Sequence, residues 1–269
     1  MKRYRYFVKD SNGKPYVPGS SIKGALRTAL LYLEIVENKQ KYAHYWDVVS
    51  KLTDGKIIKK ELEKISKDLE EEIFGSISDS IFKSIRISDS QELDFYTLFV
   101  GQRNDFAIHK KRPSVMPIEY EFLNIGTCLK FDVIIDEKLN INGYFTKARI
   151  EKALCEFSKF QNALYNAFAN KTDCLFLPNE INESVEPNIC IGGSSGFWSK
   201  TILYALAPNY NSAVNLLRLF FSSQFDKGDK SHKHAELDKE ISPHAMKVYS
   251  DSGDYIPIGW CKLKLIEKK

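Results

Sequence analysis

The sequence predicts an α+β chain, and three observations carry the prediction. Residues 57–74 and 146–170 repeat apolar residues at spacings of three and four, the period of a helix buried along one face. Residues 93–100, 118–123, 130–135 and 260–266 are short apolar or alternating runs of strand type. Residues 16–31, YVPGSSIKGALRTALL, pass from strand through a Pro18-Gly19 turn into a helix, and the rest of the chain is organised around that transition.

At its front, residues 5–9 and 14–17 read as a hairpin about the turn Asp10-Ser11-Asn12-Gly13. The helix that follows has Ser20 or Ser21 as N-cap and buries Ile22, Ala25, Leu26, Ala29, Leu30 and Leu33. Lys23 and Arg27, four apart, share another face near the positive end of the helix dipole. Free amides, two hydroxyls and two cations make a candidate phosphate site. A Ser-capped amphipathic helix with solvated cations accounts for the same residue types equally well. Gly24, costly inside a helix by about 1 kcal/mol, marks a close approach of another backbone or ligand.

A polar helical region follows, with Trp46 as a core anchor in 42–52 and a solvated face at Lys59-Lys60 and Glu70-Glu71-Glu72 of the helix that Gly75 ends. Residues 82–90 alternate as a strand, and Asp89 at its end suits a turn better than acid–base chemistry, since no partner lies nearby in sequence. Between the strands at 93–100 and 118–123 lies a long polar loop, 101–117, that sets Arg103, Lys110, Lys111 and Arg112 beside Phe106, His109 and Met116. Single-stranded nucleic-acid binders use this mixture for backbone contact and base stacking, and a solvated loop is the alternative.

The helix at 146–170 has the stripe Ile150, Leu154, Phe157, Phe160, Leu164 and Phe168; 174–177 reads as a short strand and 178–187 as a loop. Residues 189–201, ICIGGSSGFWSKT, run from a strand into Gly192, Gly193, Ser194, Ser195 and Gly196, then a helix from about Phe197. Such a segment lets a ligand backbone approach and aligns amides as an anion nest. No glycine precedes Lys200 at the spacing of a nucleotide-binding P-loop, so that reading fails. Residues 226–234 form a charged loop, and strands at 247–249 and 260–266 close the chain. His232, His234 and His244 are read as solvated rather than metal-binding.

A net charge of +4 over 269 residues permits nucleic-acid binding without demonstrating it. The five widely spaced cysteines contain no C-x-x-C, which argues against a zinc site or a disulfide framework and for a reducing cytoplasm. No membrane-length apolar run, targeting segment or cofactor motif is present, so no membrane, metal or cofactor is expected.

The string Pro18-Gly19-Ser20-Ser21-Ile22-Lys23-Gly24-Ala25-Leu26-Arg27-Thr28 resembles the signature of the RAMP superfamily of CRISPR proteins. Residues 85–90 resemble that family's strand ending in S-D-S, and 189–201 its glycine-rich segment. The glycine-rich segment and Tyr255-Ile256-Pro257-Ile258-Gly259-Trp260-Cys261 most resemble the subunit at one end of the type III-A (Csm) effector. The resemblance implies one domain over 1–269 with a modified ferredoxin-like, RRM-related core, a helical insertion at about 37–75 and a thumb-like loop at about 101–117. It implies a non-catalytic subunit that binds guide RNA (crRNA), caps its 3′ end and assists its maturation in antiviral defence. Implied partners are other RAMP subunits of the Csm complex and target RNA, with host nucleases as candidates. The implied RNA-binding residues are Ser20, Ser21, Lys23, Arg27, Lys110, Lys111, Arg112, Gly192, Gly193, Ser194, Ser195, Gly196 and Lys200. Two alternatives stay open: a RAMP-type endoribonuclease that processes precursor crRNA through His44 or His109, and an interior backbone subunit of the same complex. Family members open with a strand carrying H-[IV]-G-[SN]-G well ahead of the P-G-S-S string. Here the N-terminal core strand is expected to be missing, through truncation, a split subunit or supply by a partner chain.

Overall fold

A computed structural model of the chain describes residues 3–110, 113–172, 188–228, 232–251 and 254–267. It mixes helix and sheet, with seven α-helices and nine strands among the described residues. In chain order these are β1 (Arg3–Arg5), α1 (Gly19–Glu37), α2 (Lys39–Val49), α3 (Gly55–Phe74), β2 (Ile85–Ile87), β3 (Leu98–Ala107) and β4 (Ser114–Leu123). There follow β5 (Val133–Ile135), α4 (Lys147–Thr172), β6 (Ile189–Cys190), α5 (Leu203–Leu206), α6 (Tyr210–Phe225), α7 (His234–Leu237), β7 (Ala245–Asp251), β8 (Asp254–Pro257) and β9 (Trp260–Cys261). No helix among the described residues is long and apolar enough to cross a membrane.

The main sheet has the order β1-β4-β3-β7-β8, with β1 parallel to β4 and the other neighbours antiparallel. Two small sheets, β2-β5 and β6-β9, flank it. The helices follow from their sequence signals. Asp54 caps α3 by accepting from the Lys56 and Ile57 amides, Ile58, Ile65 and Leu69 turn inward, and Gly75 at φ 84° stops the helix. Thr146 accepts from the Arg149 amide at the start of α4. Helices α1 and α4 pack together, and Arg149 ties them by meeting Glu34 at 2.6 Å. Ile22, Leu26, Leu30, Leu154, Phe168, Leu217 and Val248 belong to one buried cluster.

Several elements differ from the sequence reading. An N-terminal strand is present where the core is expected to lack one: it is Arg3–Arg5, paired in parallel with β4, rather than 5–9, and the expected hairpin shrinks to a single bridge, Lys9 to Pro15. Tyr42, not Trp46, is the buried anchor of α2. Residues 82–84 belong to a 3-10 turn, which leaves β2 three residues long. The loop expected at 101–117 is largely sheet: β3 runs on to Ala107 and β4 begins at Ser114. Pairing on both sides, to β4 and β7, overrides the polar sequence Gly101-Gln102-Arg103-Asn104-Asp105. Of residues 130–135 only Val133–Ile135 are strand, β5, and they pair with β2. No helix starts at Phe197; turns lead to the short α5 instead. Helix α6 occupies Tyr210–Phe225, a segment for which no element is expected. The strand expected at 260–266 is two residues long, β9. The strand and loop expected at 174–187 fall outside the described residues.

Candidate nucleic-acid interface

At the start of α1 the chain supplies its own anion. Neither serine caps the helix; Pro18 holds the cap position, and the Gly19 amide donates to Asp89 Oδ1 at 2.8 Å. A carboxylate is a stronger acceptor than a hydroxyl and is favoured at the positive helix end. Ser20 is left exposed and Ser21 half-buried. Asp89 and Ser90 serve this junction, while Ser88 bonds the segment next to β5. Ser88 Oγ accepts from the Asp132 amide at 2.9 Å, Asp89 takes the helix amide, and Ser90 exchanges two 3.0 Å bonds with Val17. The approach is so close that a Cβ on Gly19 would stand 2.3 Å from the Ile87 and Ser88 carbonyl oxygens. Gly19, rather than Gly24, is the glycine that packing requires. Gly24 is exposed, with nothing within 4 Å of the position a Cβ would take.

Both cations of this helix face have partners inside the protein. Lys23 Nζ donates to the Ile85 carbonyl at 2.7 Å, and burial, with Arg27 beside it, lowers its pKa. Arg27 lies over the Phe82 ring at 4.9 Å and meets Glu70 at 3.5 Å. The expected phosphate site is thus present as a set of groups and neutralised by Asp89 and Glu70.

The glycine-rich loop is built differently. Its serines brace it from within: Ser195 Oγ lies 2.8 Å from the Gly192 carbonyl, Ser199 Oγ 3.0 Å from the Gly196 carbonyl, and the two hydroxyls 2.8 Å from each other, so two hydroxyl protons are shared among three contacts. Ser195 is therefore buried and structural rather than available to a ligand. Trp198 anchors the loop in the core, and the Ile191 amide donates to the Gly259 carbonyl at 2.8 Å. On that base Gly192 and Gly193 are exposed, with nothing within 4 Å of either missing Cβ. Ser194 is half-buried and Lys200 exposed.

The β3–β4 turn leaves Lys110 exposed, its Nζ 2.9 Å from Ser114 Oγ; Lys111 and Arg112 lie outside the described residues. Strand β7 links this turn to the glycine-rich loop, because Ala245 pairs with Ala107 while Lys247 packs against Gly196. Phe106, read as a stacking residue, is fully buried. The aromatic surface that the sequence reading missed lies on β3, β4 and β7. There Phe99, Phe122 and Tyr249 interlock at centroid distances of 4.9 to 5.7 Å, and Arg103 lies 5.1 Å from the Tyr120 ring.

The histidines also depart from expectation. His234 and His244 are 5% and 3% exposed, not solvated, and both bond Asp238, which is fully buried. Burial alone would raise the Asp238 pKa, but hydrogen bonds from His234, His244 and Ser242 outweigh it and hold the pKa at about 2. The i, i+4 spacing of His234 and Asp238 was the available sequence signal. His109 packs 5.4 Å from His244, and burial followed by that neighbour lowers its pKa. His44 is exposed, its Nδ1 3.0 Å from the Lys41 carbonyl.

A family model described as the RAMP superfamily matches residues 4–231. Among curated proteins, a "CRISPR system Cms protein Csm5" from Methanocaldococcus jannaschii is 28% identical over 296 aligned positions, covering 98% of this chain and 66% of that protein. A Mycobacterium tuberculosis (strain H37Rv) protein of the same name is 26% identical over 265 residues, covering 96% of this chain and 66% of its own length. The Streptococcus thermophilus protein of that name is 25% identical, and the match covers 73% of this chain and 49% of that protein. This chain therefore spans about half to two thirds of the relatives it matches. Two solved structures resemble the fold. One is a chain of the cryo-EM structure of a Csm–crRNA–target RNA ternary complex of a type III-A system, with TM-score 0.58, 19% identity, and coverage of 96% of this chain and 75% of the other. The other is the crystal structure of T. onnurineus Csm5, with TM-score 0.53, 17% identity, and coverage of 96% and 73%.

Proposed function

This chain belongs to the RAMP superfamily, and on that premise we propose that it is a non-catalytic guide-RNA-binding subunit of a type III-A Csm interference complex. It caps the 3′ end of the crRNA and assists its maturation, in the cytoplasm, beside other RAMP subunits and target RNA, with host nucleases as candidate partners. The observation that carries this reading is the similarity to Csm5 proteins along 96 to 98% of the chain. The open glycine-rich loop agrees with it. The sheet core is read as ferredoxin-like on the strength of the β1-β4-β3 order with β1 parallel to β4. Residues 37–75 are the helical insertion and the β3–β4 turn the thumb, all within one RAMP domain over 1–269.

RNA lies with its backbone against Gly192 and Gly193, where no side chain holds it off, with Ser194 and Lys200 beside it. Lys110, Lys111 and Arg112 add sequence-independent attraction. At the start of α1 a phosphate competes with Asp89 for the helix amides, and Ser20, Ser21, Lys23 and Arg27 turn to it. A competing reading, cleavage of precursor crRNA by an imidazole pair, draws on His109 lying 5.4 Å from His244. The test is to incubate the purified protein with repeat-containing RNA under metal-free conditions. The proposal expects binding with intact RNA; cleavage that disappears in His109→Ala would replace it with the endonuclease.

A further inference from the structure

We propose that His234 and His244, oriented by Asp238, form a binding site for a divalent transition metal of the Zn2+ class. Four of the chain's five histidines stand in one row: His109 and His244 at 5.4 Å between ring centroids, His244 and His234 at 4.7 Å, His234 and His232 at 6.0 Å. Asp238, at the centre, accepts from the ring Nδ1 of both His234 and His244, at 3.0 and 2.5 Å, from the Ser242 hydroxyl at 2.6 Å and from the His244 amide at 3.0 Å. With four donors its two oxygens are satisfied, so the carboxylate fixes both rings and puts the proton of each on Nδ1. That leaves the Nε2 of each ring as the atom open to a ligand.

Neither Nε2 has a hydrogen-bond partner among the described residues. Both residues are more than nine-tenths buried, and with His232 they line a cleft of about 270 Å³. An imidazole whose far nitrogen is held by a carboxylate is how proteins orient metal-binding histidines. Nitrogen donors select zinc-class metals over the oxygen-seeking Ca2+ and Mg2+. His232, exposed at the open side beside His234, supplies the third imidazole.

The site ties α7 to β7. The Ser242 carbonyl, one bond from the cluster, accepts from Trp198 Nε1 at 3.3 Å and from the Tyr204 hydroxyl at 2.7 Å, so a bound metal would also fix the floor of the glycine-rich loop. Nothing in this inference depends on RNA binding.

The experiment strips the full chain with EDTA and titrates it with Co2+, then Zn2+. One equivalent of Co2+ should produce the intense visible absorption of a tetrahedral site, Zn2+ should bleach it, and Zn2+ should raise Tm. His244→Gln should abolish the band, and His232→Gln, an exposed change that spares the fold, should weaken Co2+ affinity by about tenfold or more. His44→Gln, remote from the row, should change nothing. A folded wild-type protein with neither a visible band nor a Zn2+-dependent Tm, or an equal loss in His44→Gln, would overturn the proposal.

Discussion

The start of α1 and the glycine-rich loop carry the chain's two strongest motifs, and they face solvent in opposite conditions. At α1 the protein has filled its own anion site: Asp89 takes the first amide, the Ile85 carbonyl takes Lys23, and Glu70 and Phe82 take Arg27. At the glycine-rich loop the internal bonds run through Ser195 and Ser199 below the surface, and Gly192 and Gly193 stay open. One region must exchange partners to bind a phosphate; the other has only water to lose. On the proposed reading, a bound strand would cost rearrangement at α1 and little at the loop, so the loop would contribute contact and α1 charge.

Changes that break one region and spare the other sharpen this contrast. The largest effect is expected from Gly19→Ala, whose new methyl would collide with two backbone carbonyls that cannot swing aside. Denaturant unfolding should register a loss of about 3 kcal/mol or more, through forced backbone movement. Next, Lys23→Ala with Arg27→Ala removes both α1 cations. The slope of log affinity against log salt should fall by about two, one for each lost phosphate contact, with a folded protein by circular dichroism. An unchanged slope would remove α1 from the RNA path.

Gly193→Leu tests the loop alone. The side chain enters open space, so stability should stay within about 0.5 kcal/mol, as for most surface changes. RNA affinity in a fluorescence titration should drop about tenfold, or 1.4 kcal/mol, because the ligand backbone is held away. The smallest effect belongs to Asp89→Asn, which keeps an acceptor for the Gly19 amide and removes the competing charge. Affinity should rise about two- to fivefold, the worth of one exposed charge interaction. A fall would mean that Asp89 organises the site rather than competing for it.

Much of this molecule is legible in its sequence. Helices α3 and α4 follow from apolar spacing and their ends from Asp54, Gly75 and Thr146, all local signals. Helix α6 carries the same kind of signal, Asn209 as cap and Ala213, Val214, Leu217 and Phe221 inward, and is legible although the sequence reading gives that segment no element. The extension of β3 through Asn104 and Asp105 is only half local: one side pairs with β4 across the turn and the other with β7, more than a hundred residues on. The same distance hid the candidate sites' details. Nothing near Gly19 announces that Asp89, seventy residues later, will displace Ser20 and Ser21 as the cap. His234 and Asp238 announce each other at helical spacing, but His244 joins them only because the chain folds back into β7.

The most direct test of the account is to purify the tagged protein from its native host and size the RNA that accompanies it. Guide-RNA binding predicts short RNAs of discrete lengths that share a common 5′ repeat tag and arrive with other RAMP subunits. A well-folded sample that carries no such RNA would contradict it.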